Sequence, residues 1–243
     1  MTATDARAWP DPESPLVFRA ADQRFRSQLD WLDSWHSFSF AGHQDPAWMG
    51  FGPLRVINDD TIAAGTGFGR HPHRDMEIIT LMVEGQISHR DSLGHAAVLR
   101  AGEVQRMSAG TGVVHSEINE GDQPCRLLQI WIEPREAGMA PAYEQRPFPI
   151  AADWTPLLDP QRREGAMAIQ RPVRLWRARP AAGALLPLAL RAGSLGWLQL
   201  IEGAGAADGH PLSRGDGLGF RAGGLAGFRA GRTGSDLLLF ELF

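Results

Sequence analysis

Short apolar runs, broken by turn residues at intervals of roughly 8–12 residues, dominate this sequence, and long helical periodicity is missing. Glu77–Val83 closes at Glu84–Gly85, Ala96–Leu99 closes at Ala101–Gly102, and Gly110–Thr111–Gly112 is a tight turn before the near-continuous apolar run Leu127–Ile132. Upstream, Ser37–Phe38–Ser39–Phe40 alternates with the period of two that sends successive side chains to opposite faces of a strand. Leu54–Arg55–Val56–Ile57 is a further run, ended by Asn58–Asp59–Asp60. Strands this short and this numerous must close into a sandwich or barrel to bury their apolar faces, so the expected class is all-β.

The last third echoes the middle in weaker form. Leu198–Gln199–Leu200–Ile201–Glu202–Gly203 resembles Leu81–Met82–Val83–Glu84–Gly85, and Leu237–Leu238–Leu239–Phe240 resembles Leu127–Leu128–Gln129–Ile130. A duplicated β-barrel is the economical explanation. Between the copies stand Pro134, Pro141, Pro147, Pro149, Pro156 and Pro160. The expected organisation is a lead-in over residues 1–15, a first barrel over 16–133, an extended linker over 134–165 with a helical turn near Asp153–Leu158, and a second barrel over 166–243.

All 24 cationic side chains are Arg, which excludes a Schiff-base lysine, a phosphate-gripping P-loop lysine and a Ser–Lys dyad. A net charge of −4 with scattered arginines argues against direct nucleic-acid or membrane-surface binding. Cys125 is the one cysteine, so an internal disulfide and a cysteine zinc site are excluded. No apolar run approaches the ~18 residues of a membrane span. The first residues carry acid and proline where a signal peptide needs a basic start and an apolar stretch. A cytoplasmic monomer is expected.

Of the 8 histidines, His71, His73 and His115 lie in the two most glycine-punctuated stretches. His71 and His73 are two apart, as are His115 and Glu117, and on strands each pair shares a face. Two neighbouring strands would bring these four side chains together inside a barrel. A single His-x-His is commonly a surface pair. Two such pairs, each beside a glycine turn, favour a divalent transition metal: iron first, with nickel, copper, manganese, zinc or cobalt also suited. Glu77 competes with Glu117 for the carboxylate position.

The remaining candidates take plainer readings. His89 and His95 flank the turn Asp91–Gly94 and are expected to be exposed. His36 is expected to pack or hydrogen-bond, His43 to lie in a turn, and His210 to be solvated. Cys125 reads as an inert hydrophobe, Arg70 and Arg74 as ion-paired supports. Trp31, Trp35 and Trp48 are candidate pocket residues, and Met76, Ile78, Val104 and Met107 candidate barrel lining.

Gly65, His71-x-His73 and Glu77 follow the spacing of the first cupin motif, with Gly85 one residue late. Gly102, Ser108–Ala109–Gly110, His115 and Asn119 follow the second more loosely. The runs His36–Ser37–Phe38–Ser39–Phe40, Leu54 to Asp60, Gly67 to Ile78, Met107 to Gly112, His115–Ser116–Glu117–Ile118–Asn119 and Leu128–Gln129–Ile130–Trp131–Ile132 resemble the pirin family closely over about residues 16–150. The C-terminal third resembles it in outline.

That resemblance implies two cupin barrels in one chain, the first holding one metal through His71, His73, His115 and Glu117. Glu77 then becomes a charge-balancing group behind the ligands. The second barrel, with Ala189–Arg191 and Phe228 at the corresponding places, lacks a metal. The family implies a flavonol 2,4-dioxygenase (quercetinase) acting on an aromatic, enolic small molecule and dioxygen. In it Glu117 takes the enolic proton, and the ring opens with loss of carbon monoxide. It also implies an alternative: a metal- and redox-responsive partner of transcription factors, binding protein rather than DNA. A metal-assisted isomerase or hydrolase would use the same ligands.

Overall fold

A computed structural model describes residues 16–243; the lead-in expected over residues 1–15 lies outside them. Among the described residues there is no α-helix, only strands and three short 3-10 turns, in keeping with the all-β expectation. None of the described residues forms a helix long and apolar enough to cross a membrane.

The first barrel is built from two sheets. Seven strands run in the order Ala142–Pro147, Glu103–Ser108, Glu77–Glu84, Cys125–Ile132, Leu54–Ile62, Leu32–His36 and Phe25–Gln28. Facing them are four strands in the order Gly67–His73, Val113–Ile118, Gln86–Asp91 and Ala96–Arg100. All pairings are antiparallel.

Alternation along the seven-stranded sheet gives its two faces different work. Ile57, Ile79, Leu81, Val104, Leu128, Ile130 and Ile132 point away from the barrel interior. They join Leu157, Leu175, Trp197, Leu238 and Phe240 in one buried core that binds the two halves of the chain. Fully burying each aliphatic side chain there contributes about 1.5–3 kcal/mol. The opposite face looks into the barrel. Leu32, Ile62, Met82, Cys125 and Leu127 close one end of that interior. Ile78, Met107 and Val113, with Met76, Trp131 and Tyr143 against them, close the other. Met76, Ile78 and Met107 thus line the barrel as expected. Val104, three residues from Met107 and of opposite parity, belongs to the seam instead.

The second barrel is a single eight-stranded sheet organised around two long strands, Leu195–Ala207 and Gly227–Leu242. Its interior is filled with Leu186, Leu198, Leu218, Phe220, Phe228 and Leu237. Phe228 is fully buried. Its ring lies against the backbone of Gly205, where a Cβ would come within 2.2 Å of it. His210 is exposed.

Three boundaries differ from the sequence reading. Leu16–Arg19 pairs with Gly217–Arg221, so the start of the described chain completes the second barrel rather than the first. The proline-rich stretch is extended, yet it is not a free linker. Ala142–Pro147 pairs with Glu103–Ser108, and Thr155–Leu158 pairs with Val173–Ala178. The helical turn expected near Asp153–Leu158 is therefore a strand. Both segments are sheet edges, where a proline's missing N–H leaves no ladder bond unmade.

Candidate metal centre

The His-Pro-His strand, Gly67–His73, and the His-Ser-Glu strand, Val113–Ile118, are neighbours, with His115 directly opposite His71. One potential ligand atom from each of His71, His73 and His115 lies within 4.8 Å of the others. The closest pair is Nε2 of His71 and Nε2 of His115, at 3.0 Å. Nδ1 of His71 faces the Gly69 carbonyl at 2.7 Å, which fixes it as the protonated nitrogen and leaves Nε2 free for the interior.

Burial and the neighbouring histidines push His73 down to about 4 and His115 down to about 3. Both imidazoles are therefore neutral at pH 7, with lone pairs available. Glu117 is 2% exposed. Its carboxylate accepts from the Thr80 hydroxyl at 3.1 Å and from Gln129 Nε2 at 2.9 Å. It belongs to a second, overlapping group of potential ligands with His89 and His115.

The local register explains the convergence. Between His115 and Glu117 the pairing slips by one residue, so that Glu117 faces Phe68 instead of Gly69. The extra residue is a β-bulge on the His-Pro-His strand. It turns Phe68 into the interior beside His71 and His73, although its parity in the sequence is opposite to theirs. Gly67, φ +152°, completes the close approach, since a Cβ there would meet the Glu117 carbonyl oxygen at 2.2 Å.

Glu77 does not approach the cluster. It shares a face with Ile132, its cross-strand partner, on the side of the sheet turned from the barrel interior. It accepts from Ser108 at 2.8 Å, and Ser108 in turn accepts from Arg106 at 2.8 Å. Burial raises its pKa despite Ser108 and Arg106. It is not a group behind the ligands, because strand alternation sends it the other way from Thr80.

His89 is the clearest departure from the sequence reading. It is 1% exposed rather than solvated. The strand Gln86–Asp91 places His89 opposite Glu117 and Asp91 opposite His115, so both point inward. Nδ1 of His89 lies 3.4 Å from Nδ1 of His115, and Nε2 of His89 lies 3.1 Å from Asp91 Oδ2. His95, partly exposed, meets the same carboxylate at 2.9 Å and stacks on Tyr143. The spacing His89-x-Asp91 is the signal that would have revealed this pair.

Beside the histidines opens a cavity of about 310 Å³. Its apolar walls are Leu29, Trp31, Leu32, Phe40, Phe68 and Trp131. Trp131 stands edge-on to His73 at 5.0 Å and to Phe40 at 5.4 Å, while Trp31 stands edge-on to Phe68 at 5.2 Å. A larger cleft of about 500 Å³, lined by Arg106, Arg135, Met139 and Ile169, contains none of these groups. Of the three candidate tryptophans, only Trp31 reaches the cavity. Trp35 lies under Arg24 and Arg26, and Trp48 under Arg19.

The other expectations divide. His36 is buried and hydrogen-bonded, as expected, and also lines the cavity. His43 lies in its turn, stacked on Phe25 at 5.4 Å. Burial pushes the Cys125 thiol up to about 11, which suits an inert side chain. Arg70 and Arg74 are exposed and form no ion pair among the described residues, because neither shares the inward face of His71 and His73. Both groups of three potential metal ligands found among the described residues lie in the first barrel.

A family model described as Pirin matches residues 18–132, and one described as Quercetinase C-terminal cupin domain matches residues 157–242. The chain is 41% identical over 228 residues to a quercetin 2,3-dioxygenase of Escherichia coli K12, covering 93% of this chain and 98% of that one. It is 40% identical over 201 residues to a pirin-like protein of Caulobacter vibrioides, covering 79% and 84%. The crystal structure of the bacterial pirin YhhW from Escherichia coli in complex with nickel(II) matches with a TM-score of 0.89 at 41% identity, over 93% of this chain and 98% of that one. With its two barrels forming a pair of cupin domains, the chain belongs to the pirin family.

Proposed function

We propose that this protein is a dioxygenase of the quercetinase type, holding one divalent transition metal through His71, His73, His115 and Glu117. The observation that carries the proposal is the convergence of three imidazoles, with a buried carboxylate beside them, next to a cavity walled in part by Trp31, Phe40, Phe68 and Trp131. The donor set fits the metal. Neutral imidazoles and a carboxylate suit borderline divalent ions, and His71 already presents Nε2 because Nδ1 is held by Gly69. Iron, expected from the sequence, and nickel, bound by the relative YhhW, both suit these donors.

A bound metal would supply a Lewis acid for an enolic hydroxyl and an open position for dioxygen. The protein's own groups do the rest. Glu117 accepts the enolic proton at a carboxylate oxygen, and Thr80 and Gln129 hold that carboxylate in place before and after the transfer. Phe68, Trp31, Phe40 and Trp131 offer flat apolar surface to a planar ring system and exclude water from it. With no lysine in the chain, arginine is the one side-chain cation type and stays charged at working pH. Proton movement therefore runs through the carboxylate and imidazoles.

The test is oxygen uptake with quercetin by protein whose metal content is known from elemental analysis. Uptake that follows metal content and is lost in Glu117→Ala is the expected result. No uptake after loading with iron, nickel, copper, manganese or cobalt would overturn the proposal.

A further inference from the structure

The cavity has a second polar wall that the proposed chemistry leaves unused. The register sets Gln105, Thr80, Gln129, Asn58 and His36 in one row across neighbouring strands of the seven-stranded sheet, all facing the barrel interior. Thr80 and Gln129 hold Glu117. Asn58 and His36, further along the row, line the cavity, as do Asp60 and Ser34, each two residues away on the same face.

Hydrogen bonds fix which atoms this wall presents. His36 is 2% exposed, and burial lowers its pKa, so the ring is neutral. The Ser27 hydroxyl lies 2.9 Å from Nε2, and Nδ1 lies 2.7 Å from Asn58 Oδ1. The one consistent assignment has Nδ1–H donating to Asn58 and Nε2 accepting from Ser27. Because Asn58 accepts through Oδ1, its amide nitrogen carries two N–H bonds with no acceptor among the described residues. Ser34 donates to Oδ1 of Asp60. The other oxygen, Oδ2, has no partner among the described residues. Neither the Asn58 amide nitrogen nor Asp60 Oδ2 is sealed in protein; both belong to side chains that line the cavity. Burial pushes the Asp60 carboxyl up to about 7, so near neutrality it can donate as well as accept.

We infer that Asn58 and Asp60 form a second recognition point, which binds a further oxygen substituent of a planar, polyhydroxylated aromatic whose enolic oxygen lies at the histidines. Buried polar groups with unsatisfied hydrogen-bonding atoms select for a ligand that satisfies them, and an analogue lacking that oxygen leaves them unpaired. The inference rests on the dioxygenase reading for the identity of the substrate, and on the geometry of the wall for the recognition.

The test compares quercetin with 3-hydroxyflavone, which keeps the enolic hydroxyl and lacks the others. Turnover is measured as kcat/KM for oxygen uptake by metal-loaded protein. Binding is measured separately, by quenching of tryptophan fluorescence, to which Trp31 and Trp131 in the cavity wall contribute. Wild type should prefer quercetin by about tenfold or more in both measurements. The preference should fall toward one in Asp60→Ala and Asn58→Ala and persist in Asp60→Asn, whose amide retains a donor. A ratio between two substrates does not depend on the fraction of correctly folded protein, so partial misfolding of a variant does not mimic the effect. Equal preference in wild type, or an unchanged preference in both alanine variants, overturns the inference. If wild type binds quercetin selectively through these residues yet consumes no oxygen, the dioxygenase reading fails and the recognition point stands.

Discussion

Nδ1 of His89 lies 3.4 Å from Nδ1 of His115, on the opposite side of that ring from its contact with His71. With Nε2 of His115 aimed at the shared centre, its Nδ1 carries the proton and faces His89, and Nε2–H of His89 donates to Asp91 at 3.1 Å. Burial alone would raise Asp91. Hydrogen bonds from His89, His95 and the Leu93 backbone outweigh it and hold the carboxyl below its ordinary value. A carboxylate thus orients one histidine, which orients a second.

Removing the middle of this line should weaken the metal site without removing a ligand. His89→Phe is expected to lower metal affinity by about 10–100-fold while leaving one metal per chain at saturation. Competition against a chelator of known affinity measures it. Unchanged affinity would show that His115 is oriented by packing alone.

The two carboxylates weighed for the site predict opposite phenotypes. Glu117→Gln should reduce oxygen uptake with quercetin by about 10²-fold or more, the usual range for a general base, and weaken metal binding. Glu77→Gln should leave metal content intact, because Glu77 points to the seam and is held by Ser108. Elemental analysis of the two variants side by side separates the roles.

Asp60 predicts a pH dependence with a definite sign. Its folded pKa, about 7, lies above its ordinary value of 3.8, so the folded state holds a proton that the unfolded chain gives up. The favourable contribution is complete below about pH 4 and is lost as pH rises through 7. Asp60→Asn cannot titrate, so its urea midpoint should gain on that of wild type between pH 4 and pH 7 and hold that gain above. A constant difference across this range would contradict the assignment.

Arg126 ties the two barrels together. It is 4% exposed and donates to both oxygens of Asp59, at 2.7 and 2.9 Å, and it also meets Glu202 and the Ile201 carbonyl across the seam. Arg126→Met leaves Asp59 buried with Arg24, at 3.8 Å, as its one remaining ion-pair partner among the described residues. A loss of about 3 kcal/mol in unfolding free energy is expected by urea denaturation, with metal content preserved in the folded fraction.

What the sequence determines by itself is whatever one strand encodes alone. The turn-punctuated β pattern and the paired parity of His71 with His73 and of His115 with Glu117 are readable from spacing or resemblance. Strand alternation is a local property with a period of two, so it needs no knowledge of neighbours. Register between strands is not local, because it is set by how many distant side chains pack at once. Only the tertiary structure therefore turned His89 and Asp91 inward beside His115, sent Glu77 to the seam, and placed Asn58 and Asp60 in the wall of the same cavity as His71 and His73. It also inserted the bulge that carries Phe68, against its parity in the sequence, into the same cavity as His71.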